Sequence, residues 1–366
     1  MSSSIIGTGF LMPAEWEHHT STWLQWPHDD KWESYQLKLE NIWIQIVREL
    51  HSDEAVNILV QDERRRDHIV DQLDYFRIGL ENVNFHIIPN DDIWIRDNGP
   101  IFIKNREKKS IAITDWEFNG WGDRYEHDLD NLVPKKIAEV MNIPCISIPV
   151  VLEGGGIEVN GKGTLIATKT SIINDNRNPG YSQGQIEEAI MNNLGVSNII
   201  WLSGMNTSDL RIGWSDDTDT HIDLAARFVN EETVLYPFSD ADEPRYSMFC
   251  RHFEELKEAR TETGKKLNLI PLPVPNGGVY STSKIGAGGG IQTVEKPNYT
   301  NASYTNFYIG NKKVLVPVFG NKNDAVALKI IGDCFPSRDV VGINCVSLVE
   351  NGGMFHCVTQ QEPALE

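Results

Sequence analysis

About five times along this chain a hairpin signal is followed by a helical pattern and then by a short apolar run, with no Pro/Gly-rich linker to interrupt the series. The clearest hairpin is centred on Asn160-Gly161, a dipeptide suited to the positive φ angles of tight two-strand turns. Similar two-strand patterns surround Asn230-Glu231-Glu232 and Gly310-Asn311-Lys312-Lys313, and the segment 101–113 fits the same scheme. The helical patterns fall at 36–51, 65–75, 131–141, 183–193, 245–257 and 325–334, and the apolar runs after them at 55–60, 83–88, 145–149, 198–202, 267–272 and 340–346. In the first, Leu39, Ile42, Trp43, Ile46, Val47 and Leu50 recur at helical spacing and read as a core stripe. The repeat lies in structure rather than in sequence, and its period is irregular. It predicts one closed, pseudo-repetitive α/β domain over residues 1–366, with the termini meeting near the closure.

Charge narrows the partners. A net charge of −19 excludes a basic face for nucleic acid and is compatible with a cationic substrate or with plain solubility. No run of eighteen apolar residues predicts a membrane span. The segment 1–17 lacks the basic start and apolar core of a secretory signal, and five cysteines are too few for a disulfide framework, so a cytoplasmic location is expected. Four of them, Cys145, Cys250, Cys334 and Cys345, read as small buried hydrophobes. A homo-oligomer is compatible with the sequence.

The fifth cysteine lies in Gly352-Gly353-Met354-Phe355-His356-Cys357, and a distant histidine stands among acids in Asp216-Asp217-Thr218-Asp219-Thr220-His221-Ile222-Asp223. A thiol presented by glycines and a histidine elsewhere in the chain are the parts of a nucleophile with its acid/base partner. Two further polar clusters are Asp91-Asp92-Ile93-Trp94-Ile95-Arg96-Asp97-Asn98-Gly99 and Glu153-Gly154-Gly155-Gly156. Strand alternation is expected to set Asp92, Trp94 and Arg96 on one face with Asp97 at the strand's end, and His221 and Asp223 on one face of a following strand. Asp97 before Asn98-Gly99 is equally compatible with ordinary turn chemistry, and the glycines with a tight bend. Carboxylates grip the planar fork of a guanidinium from both edges. Asp97, Asp223 and Glu153 are therefore candidate clamps, His221 a candidate proton carrier and Cys357 a candidate nucleophile.

Seven segments carry a family resemblance: Met12-Pro13-Ala14-Glu15-Trp16-Glu17, Trp94 to Pro100, Phe118-Asn119-Gly120-Trp121-Gly122, Leu152-Glu153-Gly154-Gly155, Asp217 to Asp223, Ala302 to Tyr308 and Gly352 to Pro363. Together they resemble the agmatine deiminase and bacterial-type peptidylarginine deiminase family, most of all its agmatine deiminase branch. The resemblance implies a five-bladed α/β propeller (the pentein fold) with a central site, Cys357 as nucleophile, His221 as acid/base, and Asp97, Asp223 and Glu153 around the guanidinium. It implies no metal or organic cofactor. Trp94 and Trp121, beside these motifs, are candidates to cover the alkyl chain of agmatine or to be plain core aromatics. Two departures stand out: Thr220 replaces a frequent glycine, so a positive φ is not expected there, and Met354-Phe355 alters the pocket wall. Zinc binding by His221, Asp223, His356 and Cys357 lacks the usual ligand spacing. A cysteine protease, an amidinotransferase, a deiminase of free or peptidyl arginine and a silent guanidinium-binding module remain alternatives.

Overall fold

The six residues of the first predicted stripe are all buried, on one side of helix Gln36–Leu50. This computed structural model describes residues 9–28, 36–205, 216–285 and 291–365; residues 1–8, the start of the stretch read as lacking a secretory signal, lie outside it. The helix joins two parallel strands, His19–Gln25 and Ala55–Val60, because parallel neighbours cannot be linked by a tight turn.

The same plan recurs in five sheets. In each, a short strand runs antiparallel to a central strand, which pairs in parallel with a third strand reached through a helix. The second sheet uses Ile101–Asn105, Ser110–Glu117, helix Val133–Met141 and Cys145–Val151. The third uses Ile157–Val159, Thr164–Thr168, helix Gln183–Leu194 and Asn198–Leu202. The fourth uses Arg227–Phe228, Thr233–Phe238, helix Tyr246–Glu258 and Asn268–Pro273. The fifth uses Tyr308–Ile309, Lys313–Val318, helix Asp324–Cys334 and Asp339–Asn344. The first sheet is completed only by the end of the chain: Gln360–Pro363 lies antiparallel to His19–Gln25. The first sheet thus joins strands from opposite ends of the described chain, as the expected meeting near the closure required.

Local signals explain the helix ends. Ser182 and Gln185 form a reciprocal capping box at the start of Gln183–Leu194, and Gly195, with φ 69°, ends it. The sequence reading missed the extra hairpin Tyr280–Ile285 with Ile291–Tyr299, which follows no helix. It also extended too far the strands before the turns at Asn230 and Gly310, which shrink to Arg227–Phe228 and Tyr308–Ile309. Of the four cysteines read as buried, only Cys345 is; Cys145 and Cys334 are half-buried and Cys250 is exposed. Among the described residues no helix is long and apolar enough to cross a membrane.

The closing strand is held by side chains as well as by its ladder. Glu362 Oε2 accepts from Ser21 Oγ at 2.5 Å and from Trp23 Nε1 at 3.1 Å, all buried. Glu362→Ala strands both donors, and a loss of about 1–3 kcal/mol in unfolding free energy is expected from urea denaturation. An unchanged midpoint would show that the backbone ladder alone holds the closure.

Candidate active site

A turn precedes the antiparallel strand of every repeat, and the polar motifs of the sequence sit in these turns. Asp97 lies in the helical turn Ile95–Asn98 before Ile101–Asn105. Glu153 precedes the 3₁₀ turn Gly154–Gly156 before Ile157–Val159. His221 and Asp223 flank and occupy the 3₁₀ turn Ile222–Leu224 before Arg227–Phe228. Asn306 stands before Tyr308–Ile309, and Cys357 before Gln360–Pro363. The strand placement expected for the Asp92–Asp97 and His221–Asp223 segments is therefore corrected: both are turns. A turn reverses the chain while leaving its polar side chains at the inner edge of the sheet, which an extended strand would point to alternating faces.

These turns converge. His221, 1% exposed, sits with Nδ1 3.5 Å from Asp97 Oδ1 and Nε2 3.4 Å from Glu153 Oε2. Cys357 Sγ lies 3.8 Å from Asp223 Oδ2 and accepts from Asn306 Nδ2 at 3.3 Å. All five predicted residues, Asp97, Glu153, His221, Asp223 and Cys357, are buried in one place. Gly155 shows how tightly they meet. A Cβ there would fall 2.6 Å from Asp97 Oδ1, 2.7 Å from His221 Nδ1 and 3.0 Å from Asp223 Oδ2. Its own N–H donates to Asp97 Oδ1 at 3.0 Å. The glycine is required by space rather than by a special φ.

Trp121 joins the group through its indole N–H, which donates to Asp97 Oδ2 at 3.0 Å. It is set by a left-handed stretch, Gly120 to Asp123, steadied by the Asn119 side chain accepting from Gly122 N at 2.9 Å. Trp94 packs differently: its ring lies against Gly353, where a Cβ would come within 2.3 Å of Cζ3, so it seats the cysteine segment. Thr220 corrects the sequence expectation. Its φ is 71°, and that of Asp219 is 56°, although Thr220 is β-branched. Asp216 holds this strained turn by accepting from Thr218 N at 3.0 Å and Thr220 N at 2.9 Å, and Thr168 Oγ1 donates to Thr220 O at 2.5 Å.

Electrostatics divides the acids. Burial works against ionising Glu153, yet Arg177, 2.5 Å from Oε1, and His221 hold it below its ordinary range. Asp223 is likewise held low against its burial, by the His356 hydrogen bond and charge. Asp97 has no such cation behind it; burial lifts it to about 6, with His221 opposing and Asp223 and Glu153 adding. Burial alone would lower His221, but Asp97, then Glu153 and Asp223, drive it up to about 9. Burial first, then Asp223 and Asp97, push the Cys357 thiol well above its ordinary value. Several buried polar atoms at this point have no hydrogen-bond partner among the described residues: Asp223 Oδ1, Glu153 Oε2 and both His221 ring nitrogens. Buried polar atoms are seldom left unpaired, and such a cluster marks where a polar ligand makes its bonds.

Sequence reasoning missed Arg177, Asn306, Glu15 and the second role of His356. Glu15 and Asn306 lie in segments that carried the family resemblance but suggested no chemistry; Arg177, in an irregular loop, gave no signal. A separate open groove of about 280 Å3, lined by Trp16, Lys104, Arg106 and Lys162 among others, contains none of the predicted site residues.

A buried thiol and imidazole ringed by carboxylates have the chemistry suited to a planar cation. The family description Porphyromonas-type peptidyl-arginine deiminase matches residues 11–363, and the chain belongs to this family. It is 35% identical to the agmatine deiminase of Medicago truncatula, over 98% of this chain and 97% of that protein. The structure of the Enterococcus faecalis agmatine deiminase superposes with a TM-score of 0.87 at 28% identity, covering 100% of this chain and 98% of its own. A cysteine-to-serine variant of the C. jejuni agmatine deiminase with substrate bound gives 0.79 at 26% identity, covering 98% and 97%.

Gly155→Ala tests the packing. It should fold with a near-normal melting temperature, while kcat/KM falls by about 100-fold or more as Asp97, His221 and Asp223 are displaced. Activity like that of the unaltered protein would mean that their present spacing is not needed.

Proposed function

We propose that this chain, as one deiminase domain, hydrolyses agmatine to N-carbamoylputrescine and ammonia in the cytoplasm. The observation that carries the reading is the convergence of buried acceptors, Asp223 Oδ1 without a hydrogen bond among the described residues and Glu153 Oε2 facing His221 at 3.4 Å, around a thiol that burial and the nearby carboxylates keep protonated. Such a pocket is unfavourable when empty of positive charge and favourable when a guanidinium enters it. The full-length similarity to agmatine deiminases supports the same substrate.

Asp97, Asp223 and Glu153 bind the guanidinium N–H groups, and its charge offsets the repulsion that keeps Cys357 protonated. The thiol then releases its proton to solvent, and the thiolate adds to the central carbon. Imidazolium His221 gives its proton to the departing nitrogen, the C–N bond breaks, and ammonia leaves behind a covalent S-alkylthiouronium. Neutral His221 next takes a proton from water as the oxygen adds to that carbon. The C–S bond breaks, Cys357 departs with the electron pair and takes up the hydroxyl proton as the carbonyl forms, and the ureido product is released. Asn306 Nδ2, directed at Sγ, stabilises the thiolate at both stages. Trp121 orients Asp97, and Trp94 with Trp121 forms the apolar wall for the alkyl chain. A protease reading is disfavoured by the surplus of carboxylates, which repel a developing oxyanion.

Cys357→Ala should bind agmatine yet lose turnover by about three orders of magnitude or more, with ureido product and ammonia as readouts. Unchanged turnover would overturn the nucleophile assignment; amine-dependent transfer without free ammonia would make the protein an amidinotransferase.

The pH dependence follows from the shifts. Asp97 has a raised value, so its clamping carboxylate is lost as pH falls through about 6. His221 also has a raised value, so the proton it donates is lost as pH rises through about 9. The thiol, high in the free protein, is lowered by the bound cation, so its ionisation should appear at lower pH in kcat than in kcat/KM. The same thiol ionisation in both profiles would rule out assistance by substrate.

A further inference from the structure

Two residues of the matching segments have no part in the chemistry above: Glu15, from Pro13-Ala14-Glu15-Trp16, and His356, beside the cysteine. In the folded chain they touch. His356 Nε2 is 2.8 Å from Glu15 Oε2, and His356 Nδ1 is 2.8 Å from Asp223 Oδ2. An ionised carboxylate only accepts hydrogen bonds, so a ring held between two of them must donate from both nitrogens. Glu15 in turn is saturated: Oε1 accepts from Arg227 Nη2 at 3.0 Å and Ile309 N at 2.8 Å, and Oε2 lies 3.4 Å from Arg96 Nη2. Arg227 continues to Glu158 Oε2 at 2.9 Å, while Arg96 Nε donates back to the His356 carbonyl at 3.2 Å. The charged groups around the ring are thus Asp223, Glu15, Arg96, Arg227 and Glu158. With His356 protonated, its cation and the two arginines balance three carboxylates, and every charge is met without water.

From this geometry we infer that Glu15 and His356 are positioning residues for the reaction: Glu15 keeps His356 as a doubly protonated imidazolium, and His356 anchors Asp223 by Oδ2, leaving Oδ1 as an ionised acceptor for the substrate guanidinium. The contrast with Asp97 supports the inference. Asp97 is anchored by the neutral N–H groups of Gly155 and Trp121 and is lifted to about 6; Asp223, equally buried, has His356 behind it and is held low. One clamp is therefore held firmly ionised before substrate arrives, whereas the other is held less firmly and loses its charge as pH falls through about 6. The role given to Asp223 rests on the deiminase reading, whereas the protonation of His356 does not.

The decisive measurement is the imidazole ¹⁵N spectrum of the full-length wild-type chain, with the His356 signals assigned by their loss in His356→Gln. Both His356 nitrogens should carry a proton at neutral pH, as a ring that donates to two carboxylates requires. A singly protonated ring at neutral pH in protein that turns over agmatine would overturn the relay and leave the deiminase reading intact. Protein that fails to deiminate agmatine but shows the doubly protonated ring would overturn the reading of Asp223 and leave the charge arrangement standing. As a second arm, Glu15→Gln keeps the shape and removes the charge: the ring should become singly protonated, and KM for agmatine should rise about tenfold or more with a smaller change in kcat. Glu15→Asp should restore part of the loss. An unchanged KM in Glu15→Gln would overturn the inference, and if that variant does not fold, the wild-type spectrum decides alone.

Discussion

Strand Gln360–Pro363 lies antiparallel to His19–Gln25, and this one pairing sets both the architecture and the chemistry. It completes the first sheet with the last residues of the chain, joining Ser21 to Glu362 across 341 positions of sequence. It also fixes the turn just upstream, which holds His356 and Cys357. Four other turns already stand at equivalent places before the antiparallel strands of their sheets. Cys357 reaches the carboxylates only because the fifth repeat is followed by a closing strand. Local folding of any one sheet would leave the site unassembled, since each sheet supplies one or two of its residues.

A buried site with this many acids must be offset from behind, because an unpaired buried charge costs several kcal/mol. Three of the carboxylates have at least one cation behind them. Arg177 backs Glu153 and also reaches Asp219 Oδ2 at 2.9 Å; His356 backs Asp223; Arg227 and Arg96 back Glu15. Asp97 is the exception, with two neutral donors and the mobile proton of His221. That asymmetry explains why, among the clamp acids, it is Asp97 that is lifted, and why the high thiol and the high imidazole coexist. A positive charge from outside would complete the arrangement, and under the proposed function a planar guanidinium is that charge.

Much of this was legible in the chain. Helix stripes such as Leu39 to Leu50, the Asn160-Gly161 turn and the apolar runs specify their elements locally, so five repeats with parallel crossovers could be read within a few residues. The acids at 97, 153 and 223, His221 and Cys357 stood out as a set, since carboxylates, an imidazole and a thiol together suit a guanidinium although each alone is compatible with an ordinary turn or bend. The remainder depends on distance in space. Arg177 is an isolated arginine in a loop, and nothing in sequence pairs it with Glu153. The alternation expected around Asp92 and His221 failed because these segments turn, a choice made by backbone hydrogen bonds such as Asp97 N to Trp94 O at 2.9 Å. The positive φ at Thr220 was invisible for a similar reason: a threonine takes that conformation only when Asp216 and Thr168 hold it there.

By itself, then, the sequence determined the repeat, the polarity of each helix and strand, and the reacting groups, since these follow from periodicity and side-chain chemistry acting over a few residues. Tertiary structure alone decided which groups meet, which carboxylate has a cation behind it and which has only neutral donors there. Those outcomes come from contacts between residues hundreds of positions apart, where burial removes water and makes each neighbouring charge count far more than it does along an unfolded chain.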